Sequence, residues 1–400
     1  MPELSARLSR VPTAATVAMT TKARAMRAAG TEVIALTIGE PDFASPPHAI
    51  EAAHQAALRG ETKYTPQDGV PALKQAIQRK FKRDAGLDFA LDEIMVGNGG
   101  KQVFFDALMA TVDPGDEVVI PAPYWGAYPL TTRLVGGEPV VVNCPQNNGF
   151  KLRPADLDAA ITPRTKWLIL NNPNNPTGAA CSAEEMAALG EVMLRHPHVW
   201  ILCDDMYEHL VYDGFRHATM AAVEPRLRDR TLTLSGVSKT YAMTGWRVGF
   251  AAGPRALIKA MVNMQGHATA GVSGVTQAAA AAALDGPQDS VAVQADAYRR
   301  RRDMVVAALN EAPGIVCHRP EGAFYVYPNI AGCLGKTSAG GARIDTDEDF
   351  AMALLEEKHV AVVQGKAFGM SPYVRISYAT SDDLLAEACR RIVAFCGELK

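Results

Sequence analysis

Residues 231–250, "TLTLSGVSKTYAMTGWRVGF", join a short β-branched run to a polar segment that carries Lys239 and Arg247. The run "TLTL" has the composition of a buried strand. A lysine that is only solvated does not need the small and apolar neighbours that surround Lys239. The stretch therefore predicts a strand that ends in a chemically active loop.

The same pattern occurs four more times. "EIMV" precedes "GNGGKQVFF", "EVVI" precedes "PAPYWGAY", "KWLIL" precedes "NNPNNPTG" and "VWILC" precedes "DDMYEHL". Short strands that alternate with helical patterns are typical of a mostly parallel sheet built from βα units. Ligands bind beyond the carboxyl ends of such strands, so we expect one cleft there. The residues expected to meet in it are Gly99, Gly100, Lys101, Tyr124, Trp125, Asn175, Asp204, Tyr207 and Lys239.

The glycine turn before Lys101 offers backbone N–H groups at a helix N-terminus, which is suited to a phosphate. Arg247 can add a bidentate contact to the same anion. The turn matches neither a Walker A loop nor a G-x-G-x-x-G motif, so a plain strand–helix turn is the alternative.

The remaining polar side chains suit an aromatic ring. Asp204 can pair with a protonated ring nitrogen, Tyr207 and Asn175 can bind a ring oxygen, and Trp125 can stack on the ring face. Lys239 can act as a nucleophilic amine whose pKa is lowered by burial and by neighbouring positive charge. A phosphate, a pyridine nitrogen, a phenolic oxygen and an aldehyde for the lysine together describe pyridoxal 5′-phosphate.

Each residue also has a structural explanation when it is taken alone. Trp125 suits a core, Asp204 suits a helix N-cap, and Arg375, on an alternating strand, suits a solvated edge. A hydrolytic Ser238–Lys239 dyad is another alternative, but it leaves the other polar residues of the set without a role.

The motifs "NNPNNPTG", "DDMYEHL" and "SKTYAMTGWRVGF" closely resemble those of fold-type-I, class I aminotransferases. "IGEPDFASP", "KYTPQDGVPALKQAI", "NGGKQVFF", "PYWGAYP", "GAFYVYP" and "VRISYATS" extend the resemblance over nearly the whole chain. The chain is most similar to the bacterial aspartate aminotransferases, some of which accept prephenate. The resemblance implies an α/β fold with a large domain that binds pyridoxal 5′-phosphate and a smaller α+β domain.

The resemblance also implies a role for each cofactor-binding residue. Lys239 matches the Schiff-base lysine that moves a proton between the substrate Cα and C4′ of the cofactor. Asp204 matches the partner of the pyridinium nitrogen, while Asn175 and Tyr207 match the residues that hold the phenolic oxygen. Trp125 matches the residue that stacks on the ring. The implied phosphate contacts are Gly99, Gly100, Lys101, Ser238, Arg247 and, from the neighbouring subunit of a homodimer, Tyr64.

The implied reaction is the ping-pong transfer of an amino group from an L-amino acid, with aspartate expected, to a 2-oxo acid, with 2-oxoglutarate expected. Arg375 matches the arginine that binds the α-carboxylate, with Gly39 beside it. Thr16 and Lys101 match the pair that takes the distal carboxylate of aspartate, glutamate or prephenate. The full set of expected substrate contacts is Gly39, Trp125, Asn175, Arg375, Thr16 and Lys101.

One segment, "NMQGHATAGVSGVTQ", departs from the family pattern. Ala268 and Ala270 stand where small hydroxyl residues are expected, and Val272 replaces a proline. The resemblance places this segment near the partner subunit's site, so prephenate, aromatic amino acids and alanine stay open as substrates. His267 is either a substrate contact or a bystander. A fold-type-I lyase is a further alternative, whereas a DNA-binding regulator lacks room because the first motif begins near Ile38.

The resemblance divides the chain into an N-terminal arm and part of the small domain (1–45), a large cofactor domain (46–286) and a small C-terminal domain (287–400). A long helix near "QADAYRRRRDMVVAALNEA" is expected to begin the last part. Boundaries predicted in this way are accurate only to several residues.

Composition excludes several classes of partner. The 400 residues carry a net charge of −3 without a block of like charge, which argues against nucleic acid and against a membrane surface. The first residues lack the apolar core of a secretory signal, although a transit peptide is an alternative. The seven scattered cysteines indicate reduced thiols and a cytoplasmic location. No metal is expected, and His196 and His198 suit a surface turn.

Overall fold

The central sheet has seven strands in the computed structural model, which describes Ser5 and residues 7–11 and 15–400, without the side chains of residues 15–18. Across the sheet lie β2 (Ile94–Gly97), β8 (Gly249–Ala252), β7 (Thr231–Gly236), β6 (Trp200–Asp204), β5 (Thr165–Asn171), β3 (Glu117–Ala122) and β4 (Glu138–Asn143). All neighbours are parallel except β8, which is antiparallel to β2 and β7. The carboxyl ends of the other six strands therefore meet at one edge.

Short strands of the described chain lie outside this sheet. They are β1 (Ile34–Ala35), β9 (Tyr325–Val326), β10 (Lys336–Thr337), β11 (Arg343–Ile344), β12 (Val360–Ala361), β13 (Val363–Gln364) and β14 (Val374–Ser377). Strand β14 pairs antiparallel with both β13 and β9, and β10 pairs with β11. Strand β1 pairs parallel with β12, which ties the N-terminal segment to the last quarter of the chain.

Helices cover the sheet and build the rest of the molecule. The described helices are α1 (Ala15–Ala28), α2 (Pro47–Leu58), α3 (Pro71–Ala85), α4 (Gly100–Met109), α5 (Ala127–Val135), α6 (Pro154–Ala160), α7 (Ala183–Leu194), α8 (Met220–Val223), α9 (Arg255–Ala268), α10 (Gly274–Asp285), α11 (Asp289–Glu311), α12 (Asp347–Lys358) and α13 (Asp382–Glu398). Prolines begin α2, α3 and α6, where a helix needs no N–H from its first residue.

Successive strand residues face opposite sides of the sheet, and both sides are covered. On β6, Leu202 packs with Leu257 and Met261 of α9, while Ile201 packs with Met186 of α7. Because both faces are covered, β2, β7 and β8 are buried along their whole length, although β7 alternates threonine with leucine. The edge strand β4 is partly exposed. The α/β fold with a mostly parallel sheet is thus confirmed.

A separate apolar cluster joins the two ends of the chain. Met19 of α1 and Ile34 of β1 belong to it, together with Val305 of α11, Leu354 of α12 and Ile392 of α13. Segments from both ends of the chain thus pack around one apolar cluster, as a small domain built from both termini requires. The division at residues 45 and 286 stays a prediction.

Five of the central strands occur where the β-branched runs predict them, and α11 contains the expected long helix. Strands β4 and β8 are additions to that prediction. Strand β8, "GFAA", is short and made of small residues, so it carries little strand signal of its own. The alanine-rich helix α10 begins at Gly274 and ends before Gly286.

Among the described residues, no helix is both long and apolar enough to cross a bilayer. The seven cysteines are free thiols, and all of them except Cys181 are buried. The cytoplasmic location stays a prediction.

Candidate active site

A cleft of about 1100 Å³ opens at the edge where the carboxyl ends of the strands meet. Residues from the loops after β2, β3, β5, β6 and β7 line it, and Gly39 and Arg375 come from the two ends of the chain. The predicted residues in its lining are Gly39, Gly100, Lys101, Tyr124, Trp125, Asn175, Asp204, Tyr207, Ser238, Lys239, Arg247 and Arg375.

Lys239 lies three residues after the end of β7, and its ammonium donates a hydrogen bond to the carbonyl of Gly39. Burial lowers the pKa of Lys239 to about 8, and the positive charges of Arg375 and Arg247 act in the same direction, against Glu40 and Asp204. About a tenth of the amine is therefore unprotonated at pH 7 and about half at pH 8, far more than for an ordinary lysine, and a nucleophilic lysine requires the unprotonated form.

Asp204 ends β6 and is 5 % exposed. Its Oδ2 accepts a hydrogen bond of 2.6 Å from the Tyr128 hydroxyl, and its Oδ1 accepts one of 3.2 Å from the Met206 backbone N–H. Burial raises the pKa of Asp204 to about 6, although both hydrogen bonds oppose this. Among the described residues no arginine or lysine forms an ion pair with Asp204, and such a buried carboxylate suits a cationic ligand atom.

Tyr207 and Asn175 also line the cleft. The Tyr207 hydroxyl is 2.9 Å from the Tyr325 hydroxyl, and burial raises the pKa of Tyr207 well above its ordinary value. Asn175 follows β5, and its Oδ1 accepts a hydrogen bond of 3.0 Å from Arg375. Both side chains are buried and offer polar atoms to the same part of the cleft.

Arg375 in β14 is only 4 % exposed. Besides Asn175, its guanidinium donates to the Thr37 carbonyl at 2.6 Å, and its Nε has no hydrogen-bond partner among the described residues. It lies 4.8 Å from the ring centres of both Tyr325 and Phe368. No carboxylate of the described chain pairs with it, so this buried cation is suited to a bound anion.

The turn before α4 is shaped for an anion as well. Gly99 has φ +87°, and a Cβ atom there would overlap the Arg247 guanidinium, so only glycine fits without strain. Lys101, at the start of α4, lies 5.0 Å over the Trp125 ring. Desolvation and the charge of Arg247 lower the pKa of Lys101. The backbone N–H groups, Arg247 and Lys101 together form a cradle that fits a phosphate.

Comparison with known proteins agrees with this geometry. Residues 31–392 match the family model described as aminotransferase class I and II. The chain belongs to this family. It is 58 % identical over 396 residues, 99 % of each chain, to an aspartate/prephenate aminotransferase of Cereibacter sphaeroides. The crystal structure of the Rhizobium meliloti aspartate aminotransferase superposes with a TM-score of 0.98 at 53 % identity, covering 100 % of both chains.

A further solved relative is the Thermus thermophilus aspartate aminotransferase with maleate. It has a TM-score of 0.92 and 39 % identity, covering 99 % of this chain and 100 % of its own. The chain is thus an aminotransferase of this family, and the comparisons do not favour the lyase alternative.

Two residues considered in the sequence analysis, Tyr64 and His267, lie outside the cleft lining, and the side chain of a third, Thr16, is not described. The Tyr64 side chain is fully exposed and does not line the cleft of its own chain. Thr16 lies in α1, but its side chain is outside the described residues. His267 is exposed near the end of α9, away from the cleft lining. Gly99 is not in the lining of the aminotransferase cleft, but Arg247, which is, lies where a Cβ atom of residue 99 would be.

Two tyrosines of the aminotransferase site were missed. Tyr128 lies one helical turn after Trp125, with the rings edge to face at 5.4 Å, and Tyr325 lies in β9. The spacing within "PYWGAYP" is a signal for the first, since residues three apart in a turn share a face. Nothing in "GAFYVYP" distinguishes Tyr325 from a core aromatic residue.

Outside the cleft, the described residues contain one group of possible metal ligands, Asp84, Glu208 and His209, whose atoms lie within 4.8 Å. The Lys80 ammonium donates to Glu208 and lies 3.8 Å from Asp84. Because a cation of the protein already balances these carboxylates, the group is explained as a buried ion-pair network.

Proposed function

We propose that the protein is a pyridoxal 5′-phosphate-dependent aminotransferase that moves the amino group of L-aspartate to a 2-oxo acid, with 2-oxoglutarate as the expected acceptor. The observation that carries this proposal is the position of Lys239. Its amine, with a pKa of about 8, lies in one cleft with the buried Asp204 carboxylate and the buried Arg375 guanidinium.

The donor set fits the cofactor. The cradle at Gly99, Arg247 and Lys101 would hold the phosphate, and Ser238 lines the same side of the cleft. The Asp204 carboxylate would bind the ring N–H⁺. Tyr207 and Asn175 would hold the phenolic oxygen, and Trp125 would cover the ring. When bound, pyridoxal 5′-phosphate supplies an electron-withdrawing ring that stabilises the negative charge left at the substrate Cα.

Separate residues of the chain bind the substrate and move its proton. Arg375 binds the α-carboxylate through its free Nε and its amino groups, which orients Cα toward Lys239. Lys239 would hold the cofactor through its amine in the resting enzyme. With substrate bound, the unprotonated Lys239 amine would take the proton from Cα and return a proton at C4′ of the cofactor. The Gly39 carbonyl holds the same amine in reach.

A diacid substrate is supported by charge. Basic side chains of the cleft lining outnumber acidic ones; they are Arg24, Lys101, Arg133, Lys239, Arg247, Lys366 and Arg375, against Asp204 and Glu348. Such a cleft attracts anionic ligands. The relatives are named for aspartate and prephenate, and one solved relative was crystallised with the diacid maleate. We propose Lys101 and Thr16 as the contacts to the distal carboxylate.

A homodimer is part of the proposal. Tyr64 is a large aromatic residue that is 100 % exposed in the single chain, and it belongs to a motif of the cofactor site. Its hydroxyl would bind the cofactor phosphate of the partner subunit, so each site would need two chains.

Substitution of Lys239 tests the function. We expect Lys239→Ala to abolish amino transfer from L-aspartate to 2-oxoglutarate, measured by oxaloacetate formation, while noncovalent cofactor binding persists. Lys166→Ala, a lysine paired with Asp116 at 3.3 Å outside the cleft, is the control and should keep full activity. Turnover like that of the wild type in Lys239→Ala would remove Lys239 from the mechanism.

A further inference from the structure

The Tyr325 hydroxyl has one hydrogen bond among the described residues, to the Tyr207 hydroxyl, with 2.9 Å between the two oxygens. Both side chains are at most 4 % exposed. The Tyr325 hydroxyl also packs directly against Gly39, where a Cβ atom would overlap it. The hydroxyl therefore occupies one fixed place between Gly39 and Tyr207.

A count of protons determines which tyrosine donates. Under the proposed function, on which this inference rests, the Tyr207 proton goes to the phenolic oxygen of the cofactor. The Tyr207 oxygen is then free to accept, and Tyr325 has no other acceptor among the described residues. Tyr325 is thus the donor of the pair.

The surroundings of Tyr325 strengthen it as a donor. The Arg375 guanidinium lies 4.8 Å from the ring centre of Tyr325. A cation over a phenol ring stabilises negative charge on the phenol oxygen and so makes the hydroxyl a stronger hydrogen-bond donor. Phe324, with ring centres 4.7 Å apart, and Tyr207, at 5.8 Å, hold the ring from other sides. Hydrogen bonds in such a chain polarise and strengthen one another.

We propose that Tyr325 is a positioning residue that donates to Tyr207 and so strengthens the hydrogen bond from Tyr207 to the phenolic oxygen of the cofactor. A stronger hydrogen bond from Tyr207 stabilises the negative charge on the phenolic oxygen. This oxygen then holds the proton on the Lys239 nitrogen less strongly. Tyr325 would therefore lower the pH at which the Lys239-bound cofactor loses this proton.

The test is a pH titration of the visible absorption band of the cofactor-loaded enzyme without substrate. We expect Tyr325→Phe to raise the midpoint by about half to one pH unit, the equivalent of one weak hydrogen bond. Tyr378→Phe is the matched control. It also removes a buried hydroxyl, one that donates to the Ala323 carbonyl at 3.1 Å, and its midpoint should equal that of the wild type.

A double substitution separates this role from a general packing effect. In a Tyr207→Phe background, Tyr325→Phe should add no further shift of the midpoint. The hydrogen-bond relay from Tyr325 through the Tyr207 hydroxyl to the cofactor is already broken in that background. An equal midpoint in the wild type and Tyr325→Phe, or an equal added shift in the Tyr207→Phe background, would overturn the proposal.

A second reagent avoids any loss of folding. Incorporation of 3-fluorotyrosine at position 325 keeps the hydroxyl and makes it more acidic, so the midpoint should fall; an unchanged or higher midpoint counts against the relay. If the wild type with added cofactor develops no visible band at all, the proposed function fails instead, which distinguishes the two failures.

Discussion

The cleft depends on a few side chains whose protonation is set by their neighbours. Asp204 must be ionised to hold a ring N–H⁺, yet burial raises its pKa to about 6. The hydrogen bond from Tyr128 opposes this shift. Tyr128 itself is 2 % exposed and packs edge to face with Phe104 and Trp125, so its hydroxyl cannot turn away.

Tyr128→Phe tests this support. Without the hydrogen bond the pKa of Asp204 rises further, so a smaller fraction is ionised at pH 7 than at pH 9. We expect kcat to fall about three- to tenfold at pH 7 and clearly less at pH 9. Tyr298→Phe is the control, because it removes a buried hydroxyl that lies 3.3 Å from Asp42, and neither residue lines the cleft. An equal loss at both pH values in Tyr128→Phe would contradict the account.

At this scale the sequence predicts residues that follow strands, because position in a βα unit brings them to one edge. Lys239, Asp204 and Asn175 are of this kind. Tyr128 and Tyr325 are not predictable in the same way, since their contacts depend on packing between elements that are distant in the chain. The burial of Arg375 has the same origin. The alternation of its strand suggests a solvated edge, but β14 lies between β13 and β9, and the Thr37 carbonyl accepts a hydrogen bond from the guanidinium.

Among the elements, α4 joins the site to the core. Its first turn is the proposed phosphate cradle, and its later residues pack under the sheet. Gly99 is required there for two reasons, its positive φ and its contact with Arg247.

Gly99→Ala should weaken cofactor binding about tenfold or more, because the added methyl group displaces the guanidinium from the cradle. Gly86→Ala separates strain from displacement. Gly86 also has positive φ, +69°, at the end of α3, but a Cβ there meets open space. We expect that control to lose about 1 kcal/mol of stability and no cofactor affinity. Equal affinities in both variants, measured by fluorescence titration, would argue against the cradle.

Further along α4, Asp106 is fully buried and neither carboxyl oxygen has a hydrogen-bond partner among the described residues. Burial raises its pKa to about 7. The folded state thus holds this proton more tightly than the unfolded state, in which an aspartate titrates near 4. Stability is therefore lost as pH rises from about 4 to about 7 and is not regained above it.

Asp106→Asn removes this titration. The quantity to follow is the free energy of unfolding of the cofactor-free variant minus that of the cofactor-free wild type. We expect this difference to increase by about 1–3 kcal/mol between pH 5 and pH 8. Urea unfolding at several pH values measures it. Asp229→Asn, at a side chain that is 94 % exposed, should leave the pH dependence unchanged. A parallel pH dependence in Asp106→Asn and the wild type would show that Asp106 does not carry the effect.

The strands also show which features of the fold the sequence pattern predicts and which it does not. Strands β3, β5, β6 and β7 contain runs of β-branched and other apolar residues because helices cover both faces of the sheet, and this signal is visible in the sequence. The antiparallel direction of β8 is not, because its pairing with β2 and β7 depends on how the loop at Trp246 returns to the sheet.

For the whole molecule, the main proposal is that two chains complete each site. If Tyr64 serves the partner, a hybrid dimer of Tyr64→Ala and Lys239→Ala chains contains one site with both residues intact. A refolded equal mixture should then recover about a quarter of wild-type activity at limiting cofactor, while either variant alone stays low. No recovery in hybrids purified by two different affinity tags would place Tyr64 outside the partner's site.

The meeting of the first and last motifs is predictable from the sequence, since Gly39 and Arg375 line the same cleft. The division of the chain into large and small units stays a prediction. Substrate choice is not predictable in this way. The segment at Ala268, Ala270 and Val272 departs from the family pattern, which leaves substrate choice open. This segment lies beside Thr65 and Gln67 in the single chain.

The most direct test is the visible absorption spectrum of the purified, cofactor-loaded protein, titrated with L-aspartate and separately with L-alanine and L-phenylalanine. The account predicts a band from cofactor bound to Lys239, which L-aspartate converts to the spectrum of pyridoxamine 5′-phosphate at lower concentration than either other amino acid. Conversion by L-alanine or L-phenylalanine alone would contradict the diacid preference. The absence of any Lys239-dependent band after addition of cofactor would contradict the central claim.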